Sequence, residues 1–246
     1  MNSFYTAEMG RVGEVVALTA EDAHHACSVL RLRSGEHVFC VDPEGRRFEA
    51  VIDCASENGC ALRLEEILPD NEAPVRVTLY QGLPKADKLE LIVQKLTELG
   101  AGEICPVRMS RCVAKQDARD AAKKRERLQK IAREATKQCK RANTPEITVA
   151  LSWQEALDAM KRHDMLVVPW EEASGLGLRA LHDECPEVHD IGIVIGPEGG
   201  MSAGEVEALG SVGARAITLG PRILRTETAA IATVAAVMTL WGDMGY

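Results

Sequence analysis

Short runs of alternating apolar and polar residues fill the first 70 positions of the chain. They lie at 12–18, 36–41, 47–52 and 61–64, and turn-forming residues separate them at 34–35, 42–45 and 57–59. A period of two between turns predicts β-strands, and several short, evenly spaced strands favour a small barrel. The polar segment 68–74 carries prolines at both 69 and 74. We place a domain boundary there, which gives predicted domains at 1–70 and 74–246.

From residue 75 onward, apolar runs alternate with amphipathic segments. The apolar runs predict strands at 75–80, 103–108, 146–149, 164–169, 190–195 and 214–219. The amphipathic segments predict helices at 85–99, 118–142, 153–161, 202–210 and 226–242. Strands that alternate with helices indicate an α/β domain.

The most informative segments are two loops near the C-terminus, each between an apolar strand and a helix. Gly-Pro-Glu-Gly-Gly at 196–200 ends the first strand, and Ser202 with Glu205 predicts a capping box for the following helix. Gly220 and a proline end the second strand, and Thr226 is predicted to cap the last helix. Loops at the carboxyl ends of adjacent strands are where α/β sheets bind ligands. The pair therefore predicts a small-molecule site.

The common nucleotide-binding motifs do not account for these loops. The chain has no Walker A pattern, and its nearest approach to a Rossmann fingerprint, at 175–177, lacks the third glycine. A tight turn without a ligand is the alternative for the glycine loop. In the second loop, Arg222 and Arg225 are costly to bury unpaired, which favours guanidinium groups that face a polar substrate. Ion pairing with Glu198 or Glu227 is the alternative for these arginines.

The basic residues are unevenly distributed along a chain whose net charge is −8. Residues 123–141 contain nine Lys or Arg and two Glu, which gives this segment a charge of +7. The rest of the chain therefore carries a charge of −15 (−8 − 7). Five of the basic residues fall within about 80° of one another on the predicted helix: Lys123, Arg127, Lys130, Lys137 and Arg141. That face is typical of a surface for RNA phosphates. A merely solvated face is the alternative.

The cysteines and the apolar tracts predict neither a metal site nor a membrane segment. The eight cysteines form no C-x-x-C pair, and the two H-x-x-C pairs, at 24–27 and 182–185, lack the tighter spacing of zinc sites. Reduced thiols of a cytoplasmic protein are the expectation. The N-terminus lacks the pattern of a signal peptide. The longest apolar tract, at 229–241, is too short to cross a bilayer.

Six blocks spread over nearly the whole chain carry a resemblance to a known family. They lie at 24–36, 85–107, 110–112, 130–141, 196–200 and 219–229. Together they resemble the RsmE family, the small-subunit rRNA uridine-N3 methyltransferases of the SPOUT superfamily. The resemblance implies a PUA-like β-barrel, then a SPOUT α/β domain with a C-terminal trefoil knot. It also implies S-adenosylmethionine as methyl donor, a homodimer, and 16S rRNA or the small ribosomal subunit as partner, methylated near the decoding site.

The resemblance also implies roles for particular residues. The expected cofactor-binding residues are Val168, Pro169, Ile195, Gly196, Gly199, Gly200, Leu219, Gly220, Ile223 and Leu224, with Ile223 and Leu224 closing over the adenine. Arg225, helped by Arg222, is expected to stabilise negative charge on the uracil oxygens, and Glu198 is the weaker candidate for the base. The expected RNA-binding residues are Arg31, Arg33, Arg46, Arg47, Lys85, Arg111, Lys130, Lys137 and Arg141.

Two features leave alternatives open. The chain has no basic residue before Arg11, although family members often begin with arginines, so the resemblance supports no RNA contact from the extreme N-terminus. The last predicted helix, at 226–242, is apolar nearly all round, which indicates burial either within the monomer or in a homodimer interface. A SPOUT methyltransferase acting on another RNA and a non-catalytic RNA-binding assembly factor are the competing functions.

Overall fold

The computed structural model describes residues 1–56, 59–113 and 118–245, so most of the turn predicted at 57–59 lies outside the described residues. The strands are Ser3–Tyr5 (β1), Val15–Ala17 (β2), His37–Val41 (β3), Arg47–Ser56 (β4), Gly59–Leu68 (β5), Arg76–Gly82 (β6), Glu103–Val107 (β7), Glu146–Ile147 (β8), Met165–Pro169 (β9), Asp190–Ile195 (β10) and Arg215–Ile217 (β11). The helices are Ala20–His24 (α1), Lys88–Glu98 (α2), Ala118–Cys139 (α3), Trp153–Met160 (α4), Leu178–Glu184 (α5), Ala203–Ser211 (α6) and Thr226–Leu240 (α7). A π-helical turn, His25–Val29, follows α1.

The chain divides into two compact units. The first contains Met1–Glu72 and Thr136–Asn143, and the second contains Ala73–Ala135 and Thr144–Tyr246. The boundary predicted within 68–74 lies beside the first of these breaks. The pattern along the chain did not indicate that the end of α3 groups with the first unit.

The first unit is a five-stranded sheet in the order β1-β3-β4-β5-β2. β1 runs parallel to β3, and the other neighbours are antiparallel. Thr6, just after β1, forms a bridge to Leu18, just after β2, and its hydroxyl donates to the carbonyl of Ala17. The two outer strands therefore meet, which closes the sheet around buried side chains such as Phe4 and Phe48. The strands predicted in this region are confirmed, but β1, α1 and the π-helical turn were missed.

Two basic residues that were predicted to lie on an open helix face are instead engaged within the first unit. α3 ends at Cys139 because Lys140 takes a left-handed conformation (φ 62°), so Arg141 is outside the helix. Arg141 is buried, and its guanidinium pairs with the Glu72 carboxylate. The Lys137 ammonium lies 2.6 Å from the buried Asp22 carboxylate. The prediction that Arg141 belongs to an exposed helical face is therefore wrong.

The second unit is built on a parallel sheet in the order β11-β9-β10-β6-β7-β8. Its central strands β9, β10 and β6 are buried almost throughout, as parallel strands covered on both faces require. All six predicted strands are confirmed, and so are the five predicted helices apart from the longer C-terminal end expected for α3. The short helix α5 was missed, although Leu178 and Leu181 anchor it in the core. The trefoil knot stays a prediction.

The last helix, α7, is buried on one side of the second unit. Its buried residues include Ala230, Val234, Val237 and Met238. Ile231 is partly exposed, so the helix is not enclosed all round. No helix in the described part of the chain is long and apolar enough to cross a membrane.

Candidate functional site

A cavity of about 770 Å³ opens at the carboxyl ends of three neighbouring strands, β9, β10 and β11. The pattern along the chain predicted a ligand site at the last two of these strand ends, and the family resemblance added the first. Eight of the ten predicted cofactor residues line the cavity: Pro169, Ile195, Gly196, Gly200, Leu219, Gly220, Ile223 and Leu224. Val168 is buried within β9 and packs in the core, and Gly199 contributes a carbonyl that accepts from Arg111 at 3.0 Å. Neither of these two is among the cavity-lining residues of the described chain.

The glycine loop needs its glycines for two different reasons. Gly200 has φ +68°, a conformation that L side chains rarely adopt, and its amide donates to the Pro197 carbonyl in a tight turn. At Gly196, a Cβ atom would lie only 3.1 Å from the Met201 side chain. The predicted capping box is confirmed, since the Ser202 hydroxyl accepts from the Glu205 amide while the Glu205 carboxylate accepts from the Ser202 amide. The loop therefore leads directly into α6 with its main chain along the cavity.

A buried hydrogen-bond chain fixes the glycine loop to α7. The Thr226 hydroxyl donates to the Gly196 carbonyl at 2.6 Å and accepts from the Gln81 side-chain amide at 2.9 Å. The prediction that Thr226 caps α7 is wrong, because Arg225 takes the N-cap position and Thr226 is the first helical residue. Gln81 was missed by the sequence analysis. A glutamine that directly follows the apolar pair Leu79 and Tyr80 near the end of β6 was the signal that could have found it.

Glu198 is held by two donors on the α2 side of the cavity. Its carboxylate accepts from the Lys85 amide at 3.0 Å and lies 3.1 Å from the Lys88 ammonium. Lys88 is also 3.1 Å from the Glu227 carboxylate, so one lysine bridges two acids. Burial favours the neutral acid, but hydrogen bonds from the backbone amides and from Lys88 outweigh it and lower the pKa of Glu198. A carboxylate with a lowered pKa and two donors is a poor acceptor for a further proton, which disfavours Glu198 as the base.

Lys88 was missed by the sequence analysis, and it forms the ion pairs with Glu198 and Glu227 that were the alternative considered for the arginines. Hydrogen bonds to Glu227 and Glu198 raise the pKa of Lys88, so it stays charged. Arg222 and Arg225 also line the cavity, and both are exposed. Within the ranges that the structure describes, neither guanidinium has an ion-pair partner within 4.0 Å. Both arginines are therefore open to a substrate.

The predicted RNA-binding residues divide into engaged and open side chains. In the first unit, Arg46 forms an ion pair with the buried Asp42 carboxylate at 2.7 Å, whereas Arg31 and Arg33 are exposed. Arg47 donates to the carbonyl of Pro69. In the second unit Lys85, Arg111 and Lys130 are exposed, although Arg111 also donates to the carbonyl of Gly199. The open cations thus occur in both units, while Lys137 pairs with Asp22 and Arg141 pairs with Glu72.

Comparison with known proteins explains this combination of a small barrel and a parallel-sheet unit. A model of an RNA methyltransferase domain matches residues 71–238, and a model of an RNA methyltransferase PUA domain matches residues 18–65. Ribosomal RNA small subunit methyltransferase E of Bacillus subtilis is 38% identical over 226 residues, which cover 90% of this chain and 88% of that protein. The chain belongs to the ribosomal RNA small subunit methyltransferase E family. It is therefore an RNA methyltransferase with an N-terminal PUA domain, which confirms the predicted family and domain types.

Further members of the methyltransferase E family show the same likeness over the full chain. The protein of Mycobacterium bovis is 33% identical over 248 residues, covering 96% of this chain and 91% of that protein. A crystal structure of the Neisseria gonorrhoeae methyltransferase E, bound to S-adenosyl methionine, superimposes with a TM-score of 0.87 at 33% identity over 99% of each chain. This chain thus shares its fold with that solved structure over almost its whole length.

Proposed function

We propose that the chain transfers a methyl group from S-adenosylmethionine to N3 of a uridine in 16S rRNA, near the decoding site of the small ribosomal subunit. The observation that carries this proposal is the cavity at the ends of β9, β10 and β11, beside two arginines that form no ion pair within 4.0 Å among the described residues. Family membership and the cofactor-bound neighbour support the same reaction. An enzyme of rRNA is expected to act in the cytoplasm.

The cavity suits the proposed cofactor. Its volume of about 770 Å³ falls in the range of small-molecule sites, roughly 300 to 1,000 Å³. Apolar side chains such as Leu219 and Leu224 line it beside the open main chain of the glycine loop, a combination that suits an adenine ring. Glu171, which also lines the cavity, supplies a carboxylate that is complementary to a sulfonium cation. S-adenosylmethionine, when bound, supplies an activated methyl group and its own leaving group.

The protein's part in the reaction is to orient the base and to stabilise charge. Uridine N3 is a poor nucleophile while protonated, so its proton passes to solvent water and the site must favour the deprotonated ring. Arg225, at the N-terminus of α7, is the residue that we assign to the negative charge on the uracil oxygens, with Arg222 beside it. We assign Glu198 to bracing the glycine loop through Lys85 and Lys88, in place of the base role first considered for it.

RNA binding is proposed to use the exposed cations of both units. Arg31 and Arg33 in the PUA domain, with Lys85, Arg111 and Lys130 in the methyltransferase domain, are the proposed phosphate contacts. The engaged residues Arg46, Arg47, Lys137 and Arg141 are better suited to holding the structure around those contacts. A homodimer that covers the partly exposed side of α7 is the proposed assembly.

Two measurements test the proposed function. The first measurement maps N3-methyluridine in 16S rRNA from three strains: cells with the gene, a deletion strain, and the deletion strain with the gene restored. Loss and recovery of one methylated uridine supports the proposal, whereas an unchanged modification pattern contradicts it. The second titrates S-adenosylmethionine into the purified protein by calorimetry. Binding of RNA without any binding of the cofactor would favour a non-catalytic assembly factor.

A further inference from the structure

The loop between β11 and α7 presents an isoleucine to solvent at the mouth of the cavity. Ile223 is 83% exposed, the highest value among the large apolar side chains of the described residues. Its neighbour Leu224 is partly buried, although both line the cavity. The two residues expected to close together over an adenine are therefore in different environments. Leu224 is suited to the cofactor, and Ile223 is left without an apolar partner of its own.

The surroundings of Ile223 suit a nucleic acid. Arg222 precedes it and Arg225 follows two residues later, and both are exposed without an ion-pair partner in the part of the chain that the structure describes. Gly220, with φ +101°, and Pro221 come directly before Arg222 in the loop between β11 and α7. An apolar tip between two unpaired cations is complementary to a base stack between two phosphates.

The position of N3 in the proposed substrate explains why an exposed apolar side chain would be useful beside the cavity. N3 lies on the pairing edge of uracil, and enzymes that modify a base within structured nucleic acid extrude that base from its stack. Unstacking costs several kcal/mol, and proteins offset that cost by inserting an apolar side chain, isoleucine among them, between the remaining bases. The cavity beside Ile223 is where the extruded uracil would meet the methyl donor.

We infer that Ile223 is a wedge that enters the RNA stack as the target uridine leaves it, while Arg222 and Arg225 hold the flanking backbone and the extruded base. This inference rests on the proposed function, because it takes structured RNA as the substrate. It assigns Ile223 to positioning the substrate rather than to binding the cofactor.

The test compares Ile223→Ala with the wild-type protein on two RNA hairpins that contain the target uridine. In the first hairpin the uridine is stacked, and in the second an abasic site replaces its 3′ neighbour and removes the stacking partner. With the stacked hairpin, the single-turnover rate of Ile223→Ala should fall about ten- to fiftyfold, the range for losing three buried methylene-sized groups. With the abasic hairpin the two proteins should react at similar rates, and Ile223→Leu should keep most of the activity on both.

A matched control is the neighbouring Leu224→Ala, which faces the cavity. It should weaken S-adenosylmethionine binding and slow the reaction on both hairpins, whereas Ile223→Ala should bind the cofactor as the wild type does. Equal losses for Ile223→Ala on both hairpins, or weaker cofactor binding, would overturn the wedge. If Ile223→Ala sediments as a monomer while the wild type sediments as a dimer, the wedge is also overturned, because a second copy would then cover this side chain.

A fluorescence measurement separates failure of the wedge from failure of the proposed function. A hairpin with 2-aminopurine next to the target reports unstacking without any methyl transfer. The wild-type protein should raise the fluorescence on binding, and Ile223→Ala should bind with a much smaller rise. If the wild type unstacks the RNA but forms no N3-methyluridine, the proposed reaction fails and the wedge stands. An equal rise for both proteins contradicts the wedge.

Discussion

Thr226 offers a direct test of how the glycine loop is held, because one buried hydroxyl joins that loop to α7. Replacing Thr226 by valine keeps the β-branched shape and removes only the hydroxyl. The change breaks the bond to the Gly196 carbonyl at 2.6 Å and the bond from the Gln81 amide at 2.9 Å. The Gln81 amide keeps its bond to the Gly82 carbonyl, so it is not left without any acceptor.

The magnitude follows from the two lost bonds. Each net hydrogen bond contributes about 0.5 to 1.5 kcal/mol, so Thr226→Val should lower the free energy of unfolding by about 1 to 3 kcal/mol. The Gly196 carbonyl at the wall of the cavity also loses its short hydrogen bond and keeps only the longer one, at 3.5 Å, from the Gln81 amide. We therefore expect S-adenosylmethionine to bind about tenfold more weakly, which corresponds to about 1.4 kcal/mol. Urea unfolding measures the first quantity and calorimetry measures the second.

Thr233 supplies the matched control on the same helix. Its hydroxyl is buried and donates to the Ala229 carbonyl at 2.7 Å, which is a bond within α7. Thr233→Val should lower stability by about 0.5 to 1.5 kcal/mol and leave cofactor binding unchanged. If Thr226→Val binds the cofactor as tightly as the wild type, or if both variants weaken binding equally, the bond to Gly196 does not position the loop.

Four further outcomes follow from the site and the surface. Lys88→Met should lower kcat/KM about tenfold, because two carboxylates lose their shared cation. Lys95→Met, on the same helix but paired with Glu98, should leave it unchanged. Arg225→Ala should lower the single-turnover rate about 10²- to 10³-fold at saturating cofactor and RNA, and an unchanged rate would remove Arg225 from the mechanism. Lys123→Glu with Lys130→Glu should weaken RNA binding and reduce its salt dependence, and unchanged values would mean that this face of α3 is only solvated. Sedimentation at micromolar concentration should show a dimer, and a monomer would contradict the proposed interface.

The local parts of the site were predictable from sequence because short-range contacts determine them. The Ser202 capping box joins residues three positions apart, and the strands before both loops appear as apolar runs. The positive φ of Gly200 is likewise a property of the turn that contains it. These features depend on a few neighbouring residues, so the pattern of residue types was sufficient to predict them.

Contacts between distant residues were not predictable in the same way. Gln81 and Thr226 are 145 positions apart, and their bond exists because β6 lies beside β10 in the sheet, an order that the succession of strands does not specify. The periodicity of α3 showed which residues share a face, but it could not show that carboxylates in another part of the chain lie opposite Lys137 and Arg141.

The sequence by itself determined the family, the two kinds of domain, most strands and helices, and the two loops that form the cavity. The tertiary structure decided which charges are free and which are paired. It showed that Lys88, and not an arginine, pairs with Glu198. It also showed that Ile223 is exposed whereas Leu224 is half-buried. The physical reason is that backbone conformation depends mainly on neighbouring residues, whereas the pairing and burial of a side chain depend on what the fold brings opposite it.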